Sequence, residues 1–285
     1  MARQENIEIF QDTENHIKQN SRLKEAVINS TANQLLIPEY MAVSELFSAG
    51  NKERYEQNAD IIISKKRSYE AAVSYIGMKT CVHNFASATN PGGGVVKGSS
   101  AQEECLCRTS TLYPLLYRNT LRYSYYKHNS DHRLISKSSK GTDSLIYTEG
   151  VVICKTDEEF PTRLPKNLWV TVDVITIAAP DLRSKANPYA PVIGNCTYMN
   201  DAELFGYHVK RAIHMLTVAA SKGADILVLG AFGCGAFENN PVVVSKAYKV
   251  AIDMFPKVFK HIEFAVYCPP TGSLNYDVFK ACFDN

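Results

Sequence analysis

Residues 84–104 read NFASATNPGGGVVKGSSAQEE. An apolar run over Thr80–Ala86 leads into Asn90-Pro91, three consecutive glycines and then Gln102-Glu103-Glu104. Consecutive glycines after a strand free backbone N–H groups to converge on an anion such as a phosphate. Two adjacent carboxylates just past the loop place candidate acid/base groups next to that anion. On a helix they stand about 100° apart, so both can border one site. The same spacing suits two solvated first-turn glutamates held by the helix dipole.

A second glycine loop, GAFGCGAFENNP over 230–241, follows the apolar run Ile226–Leu229. Two such loops at strand ends support a diphosphate held between them, because ligands of open α/β sheets sit beyond the carboxyl ends of strands. No Gly-Lys-Ser/Thr closes either loop, so neither is a nucleotide-kinase P-loop. The dinucleotide fingerprint is absent too: Gly233-x-Gly235 is followed by Glu238 where a third glycine is needed. Phe237 can pack on a ribose or base, or belong to the core. Late in the strand before the first loop, alternation sends one of His83 and Asn84 to the core and the other away. Asn84 is the ligand candidate, and His83 reads as structural.

Outward from the loops, the chain alternates helix and strand. Apolar spacing over 3–30 predicts one or two N-terminal helices. Ile61–Ile63 reads as a strand and Ser68–Tyr75 as a short helix. Glu103–Tyr117 reads as a helix bent or restarted at Pro114. Leu145–Tyr147 and Val151–Lys155 read as two short strands, and Trp169–Ala178 as a central strand, apolar on both faces. Pro180–Asn200 reads as a long loop, followed by helix Asp201–Ser221, strand Ile226–Leu229, helix Pro241–Phe255, strand Ile262–Tyr267 and helix Asn275–Phe283. That order implies a largely parallel sheet covered on both faces. Residues 118–143 differ: they hold six Lys/Arg and three tyrosines, and Asp131 is the single acid between Arg118 and Lys140. This segment reads as a surface excursion, either a solvated loop or a basic, aromatic rim for an anionic polymer.

A length of 285 residues allows one large domain, or one domain with an extension. Hydrophobic content of 45% with 21% charged residues is ordinary for a globular protein, and a net charge of +2 argues against bulk nucleic-acid binding. The eight cysteines form no Cys-x-x-Cys pair, which leaves no zinc-site spacing and favours reduced, buried thiols. The polar start MARQENIEIF has no apolar signal core, and no apolar run approaches the roughly 20 residues of a membrane span. The expectation is a soluble, cytoplasmic monomer with no membrane partner.

Gly92-Gly93-Gly94, seven residues, then Gln102-Glu103-Glu104 resembles the signature of poly(ADP-ribose) glycohydrolases, whose catalytic domain is a macrodomain. NFASATNPGGG, QEECLCRTSTLYP, IYTEGVVICK, ITIAAPDLR and GAFGCGAFENNP resemble the bacterial-type branch. The resemblance implies a three-layer α/β/α macrodomain-like fold with a mixed sheet. It implies an N-terminal helical extension over 1–58 packed on a catalytic core over 59–285, forming a single structural unit. It also implies an ADP-ribose site with the diphosphate between Asn90, Gly92, Gly93, Gly94 and Val95 on one side and Gly233, Cys234, Gly235, Ala236 and Phe237 on the other. Glu104 would be the acid/base at the ribose–ribose linkage and Glu103 would hold ribose hydroxyls. Gln102 and Asn84 would add polar contacts there, and Phe237 would pack near the reactive ribose. No metal or cofactor is implied. The substrate would be poly(ADP-ribose) or an ADP-ribosylated macromolecule, and the product ADP-ribose. Removal of a single ADP-ribose from an acceptor, and binding of ADP-ribose without turnover, are the alternatives.

Overall fold

The computed structural model describes residues 2–39, 52–183, 199–270 and 272–284. Seven strands form one sheet in the order β1-β4-β5-β3-β6-β7-β2. They are β1 (Leu35–Ile37), β2 (Asp60–Ser64), β3 (Thr80–Phe85), β4 (Leu145–Ile153), β5 (Val170–Ile177), β6 (Ile226–Leu229) and β7 (His261–Ala265). β5, β3, β6, β7 and β2 run parallel, and β4 and β1 add an antiparallel edge. The helices before β4 are α1 (Ala2–Gln19), α2 (Ser21–Asn33), α3 (Ser68–Ala72), α4 (Gln102–Thr109), α5 (Leu112–Leu116), α6 (Asn119–Leu121) and α7 (His128–Ser136). Those after β5 are α8 (Asp201–Ser221), α9 (Pro241–Asp253) and α10 (Leu274–Phe283).

The strands are apolar on both sides because both faces are covered. Leu227, Leu229, Ile175 and Ile177 pack with Leu216, Val244 and Phe279 of α8, α9 and α10. Their alternating neighbours Ile226, Val228, Val172 and Val174 pack with Leu106, Leu112 and Leu116 of α4 and α5. This is the three-layer α/β/α arrangement. It also resolves the alternation in β3: His83 faces one core and Asn84 the other, so both are buried.

Several sequence expectations change. The helix after the glycine loop breaks at Ser110, not at Pro114, which lies inside α5. There the chain is pinned to β4, through Cys154 N–H to the Thr109 carbonyl and Thr111 N–H to the Val152 carbonyl, each 3.0 Å. The two strands around Glu149-Gly150 are a single β4 with a bulge between Thr148 and Val151. Its Gly150 N–H donates to Asp173 Oδ1 at 3.1 Å. Residues 119–136 form a continuous helical run whose middle, Arg122–Lys127, is π-helical. Leu121, Tyr125, Tyr126 and Asn129 form its buried face. Interleaved tyrosines and cations hide that face from a search for aliphatic periodicity. Residues 184–198 of the loop predicted over Pro180–Asn200 lie outside the described residues, as do residues 40–51.

The N-terminal helices support the first glycine loop. Arg3 Nε donates to the Lys97 carbonyl at 2.6 Å, Asn6 Nδ2 to the Gly98 carbonyl at 3.1 Å and Thr13 Oγ1 to the Arg108 carbonyl at 2.5 Å. The same N-terminal segment supplies β1 to the sheet.

Candidate active site

β3 pairs with β6 only as far as Val82 but stays paired with β5 to Phe85. Where β6 diverges, the Gln102 side chain takes over its hydrogen bonds. The amide oxygen accepts from Phe85 N–H at 2.9 Å, and the amide nitrogen donates to the His83 carbonyl at 2.7 Å and to Ser68 Oγ at 3.0 Å. Gln102 thus fixes the first turn of α4 against the end of β3, which brings Glu103 and Glu104 to the strand ends.

Neither glutamate is a solvated first-turn residue: Glu103 is 3% and Glu104 7% exposed. Glu103 Oε2 accepts from Ser87 N–H at 2.7 Å, and Oε1 accepts from Asn84 Nδ2 at 3.4 Å. Asn84 Nδ2 also donates to Thr176 Oγ1 of β5 at 3.1 Å. Glu104 Oε1 accepts from Gly94 N–H at 2.8 Å. Its Oε2 is buried and has no hydrogen-bond partner among the described residues. Burial, then the neighbouring Glu104 carboxylate, push Glu103 well above the usual carboxylate range, although its hydrogen-bond donors pull the other way. His83 is held down to about 3 by burial and packs against Phe85 and Phe232. It is a neutral structural group, as its position in the strand suggested.

A cleft of about 710 Å³ opens over these groups. Of the residues nominated from sequence, Asn90, Gly93, Gly94, Gln102, Glu103, Glu104, Gly233, Gly235, Ala236 and Phe237 line it. Four do not. Asn84 lies beneath Glu103, fully buried. Val95 is a core residue. Gly92 packs against the Tyr113 ring. Cys234 directs its thiol to the Phe232 carbonyl, and burial raises that thiol.

The two glycine loops do different work. In the first, Gly93 N–H bonds the Asn90 carbonyl at 3.0 Å, Val95 N–H bonds the Gly92 carbonyl at 3.2 Å, and the Gly94 amide holds Glu104. Gly93 has φ 59°, and a Cβ on it would collide with Glu104 Oε1 and come within 3.2 Å of Glu103 Oε2. This loop is shaped to the glutamates. In the second loop the N–H groups of Gly233, Gly235, Ala236 and Phe237 make no hydrogen bond among the described residues. Nothing lies within 4 Å of a Cβ built on Gly235. The second loop therefore offers the open donors that an anion needs.

Strand order sets the layout of the cleft. Arg67, Ser68, Val266 and Tyr267 follow β2 and β7, with the Arg67 guanidinium 4.0 Å from the Tyr267 ring centroid. The glycine loops follow β6 and β3. Asp181 and Arg183 follow β5 at the opposite end. Arg183 bonds both oxygens of Asp181, at 2.8 and 2.6 Å, and its guanidinium lies 5.0 Å from the centre of the Phe237 ring. Sequence reasoning did not single out Tyr267, Arg183 or Tyr113. Asp-x-Arg directly after the strong β5 run was the available signal for Arg183. Among the described residues no cluster of three or more His, Cys, Asp or Glu could hold a metal ion, and no helix is long and apolar enough to cross a membrane.

Residues 3–156 match the family model described as microbial-type PARG, catalytic domain. Comparison with curated proteins gives no match. The structure is similar to that of the poly(ADP-ribose) glycohydrolase from Thermomonospora curvata, with TM-score 0.81 and 24% identity over 99% of this chain and 100% of that one. Its form bound to the inhibitor ADP-HPD gives TM-score 0.81 and 26% identity with the same coverage. The enzyme from Deinococcus radiodurans in complex with ADP-ribose gives TM-score 0.75 and 28% identity over 90% of this chain and 97% of that one. The matched stretch, more than half of the chain, contains the first glycine loop and both glutamates, and the chain belongs to the family of microbial-type poly(ADP-ribose) glycohydrolase catalytic domains.

Proposed function

We propose that this chain hydrolyses the ribose–ribose O-glycosidic bond of poly(ADP-ribose) and releases ADP-ribose, with Glu104 as the acid/base. The observation that carries the assignment is the asymmetry of Glu104. One carboxylate oxygen is held by Gly94 N–H at 2.8 Å, while the other is buried beside the cleft and has no hydrogen-bond partner among the described residues. A general acid needs its reacting oxygen free and its orientation fixed.

The diphosphate binds the open amides of Gly233, Gly235, Ala236 and Phe237. The adenine lies toward Tyr267 and the reacting ribose toward the glutamates. Glu104 Oε2 gives its proton to the leaving hydroxyl oxygen as the bond to the anomeric carbon breaks. Water then adds to the oxocarbenium-like carbon and returns a proton to Oε2. Glu103 accepts ribose hydroxyls with the lone pairs that Ser87 and Asn84 leave unused. Gln102 and Asn84 position the pair from behind. Phe237, stacked under Arg183, limits the movement of the ribose.

Chromatography of products from purified poly(ADP-ribose) tests this. ADP-ribose released in a Glu104-dependent manner is the expected result. Binding of ADP-ribose with no release from polymer would reduce the chain to a reader.

A further inference from the structure

A second cavity of about 360 Å³ adjoins the main cleft and shares four walls with it: Thr89, Asn90, Pro91 and Tyr117. Its other walls are Arg122, Tyr126, Lys127 and Ser130, all from the helical run over 119–136. Arg122 and Lys127 are the two ends of the π-helical turn, five residues apart. A π-turn brings positions i and i+5 into register on one face, so both cations reach one pocket. Lys127 is paired with Asp131 at 2.6 Å, but both side chains are exposed and the pair yields readily to a competing anion. The Arg122 guanidinium sits 5.3 Å from the centre of Tyr117, which stacks on Tyr113 at 5.4 Å, and both tyrosines line the main cleft. Tyr126, 2% exposed, has a buried hydroxyl with no hydrogen-bond partner among the described residues. A buried donor left in that state is expected to meet a ligand or water.

The position of this pocket suggests its role. The same helical run closes the β5 end of the cleft, where Arg133 faces Asp181 at 3.8 Å. That end is opposite Tyr267, and so lies on the side where the remainder of a polymer must leave. We propose that the second pocket is a subsite for the polymer unit across the scissile bond, with Arg122 and Lys127 meeting its diphosphate. The inference rests on the poly(ADP-ribose) reading of the main cleft. It also gives the basic, tyrosine-rich segment a function that a solvated surface lacks.

The test compares the affinities of ADP-ribose and of a short, defined ADP-ribose oligomer in a Glu104→Gln background, which prevents hydrolysis during titration. The oligomer should bind about tenfold tighter than ADP-ribose, with a salt dependence steeper by about one unit of log Kd per log salt. Adding Arg122→Ala and Lys127→Ala should bring the affinity ratio to about one and remove the extra salt dependence. Lys127→Arg should keep the ratio. An oligomer that binds no tighter than ADP-ribose overturns the subsite, whether or not the wild-type protein hydrolyses polymer. So does a ratio that survives the double substitution. Wild-type turnover of the oligomer, measured separately, reports on the main cleft.

Discussion

The main-chain N–H of Gly94 donates to Oε1 of Glu104 at 2.8 Å, so a backbone amide of the first glycine loop holds the proposed acid/base. Gly93, one residue earlier, leaves no room for a Cβ beside that carboxylate. Gly93→Ala should therefore act on catalysis. It forces a non-glycine residue to φ 59° and displaces Glu104. The expected outcome is a loss of about 1–3 kcal/mol of stability from backbone strain and roughly 100-fold in kcat from misplacement of the acid/base, with ADP-ribose affinity largely kept. Gly235→Ala should do the reverse, because its Cβ meets nothing within 4 Å and sits in the loop proposed to bind the diphosphate. It should weaken ADP-ribose binding and leave the melting temperature near wild type. Calorimetry and steady-state kinetics on both variants check the split; identical profiles would refute separate roles for the loops.

Gln102 replaces the missing β6 partner at His83 and Phe85. Gln102→Ala leaves the Phe85 N–H and the His83 carbonyl unpaired, which should cost about 1–3 kcal/mol in denaturant unfolding. Gln102→Glu should be no better, since its second oxygen faces the His83 carbonyl and adds a third carboxylate beside Glu103 and Glu104. If Gln102 served only to touch substrate, both variants would unfold like wild type.

Glu103 titrates above the ordinary carboxylate range because burial and Glu104 disfavour its charge. A raised carboxyl pKa means that the folded state binds the proton more tightly than the unfolded state. Its stability contribution is full below the unfolded value of 4.5 and is lost as pH rises through the folded value. Glu103→Gln removes this loss. The Gln oxygen can accept from Ser87 N–H, and once the Asn84 amide turns over, the Gln amide can donate to Asn84 Oδ1, which has no partner among the described residues. The variant should therefore gain stability relative to wild type between about pH 5 and about pH 8, even as its activity falls. Thermal unfolding at both pH values decides; a pH-independent difference contradicts the assignment.

The sheet and the site were legible where chemistry writes a local pattern. Ile226–Leu229 and Val170–Ile177 show both-sided burial in their apolar runs, and the glycines and paired glutamates mark the strand ends. Long-range hydrogen bonding was not legible. The sequence nominates the first glycine loop as a phosphate cradle, but Gly93–Val95 spend their amides on the turn and on Glu104, a contact that depends on how α4 returns to the loop. Asn84 reads as a ligand candidate from strand alternation, and Gln102 reads as a ligand contact through the family resemblance. Only the departure of β6 after Val82 shows why Gln102 is needed as a backbone partner. The run over 119–136 was misread because tyrosines and Asn129 supply its buried face in place of aliphatic residues.

The most direct test of the central claim is single-turnover hydrolysis of defined poly(ADP-ribose) by Glu104→Gln beside wild type, with ADP-ribose affinity measured on both. Glutamine keeps an acceptor for Gly94 N–H but cannot transfer a proton. The account predicts wild-type affinity and a rate reduced at least about 100-fold. A Glu104→Gln rate within a few fold of wild type would contradict it.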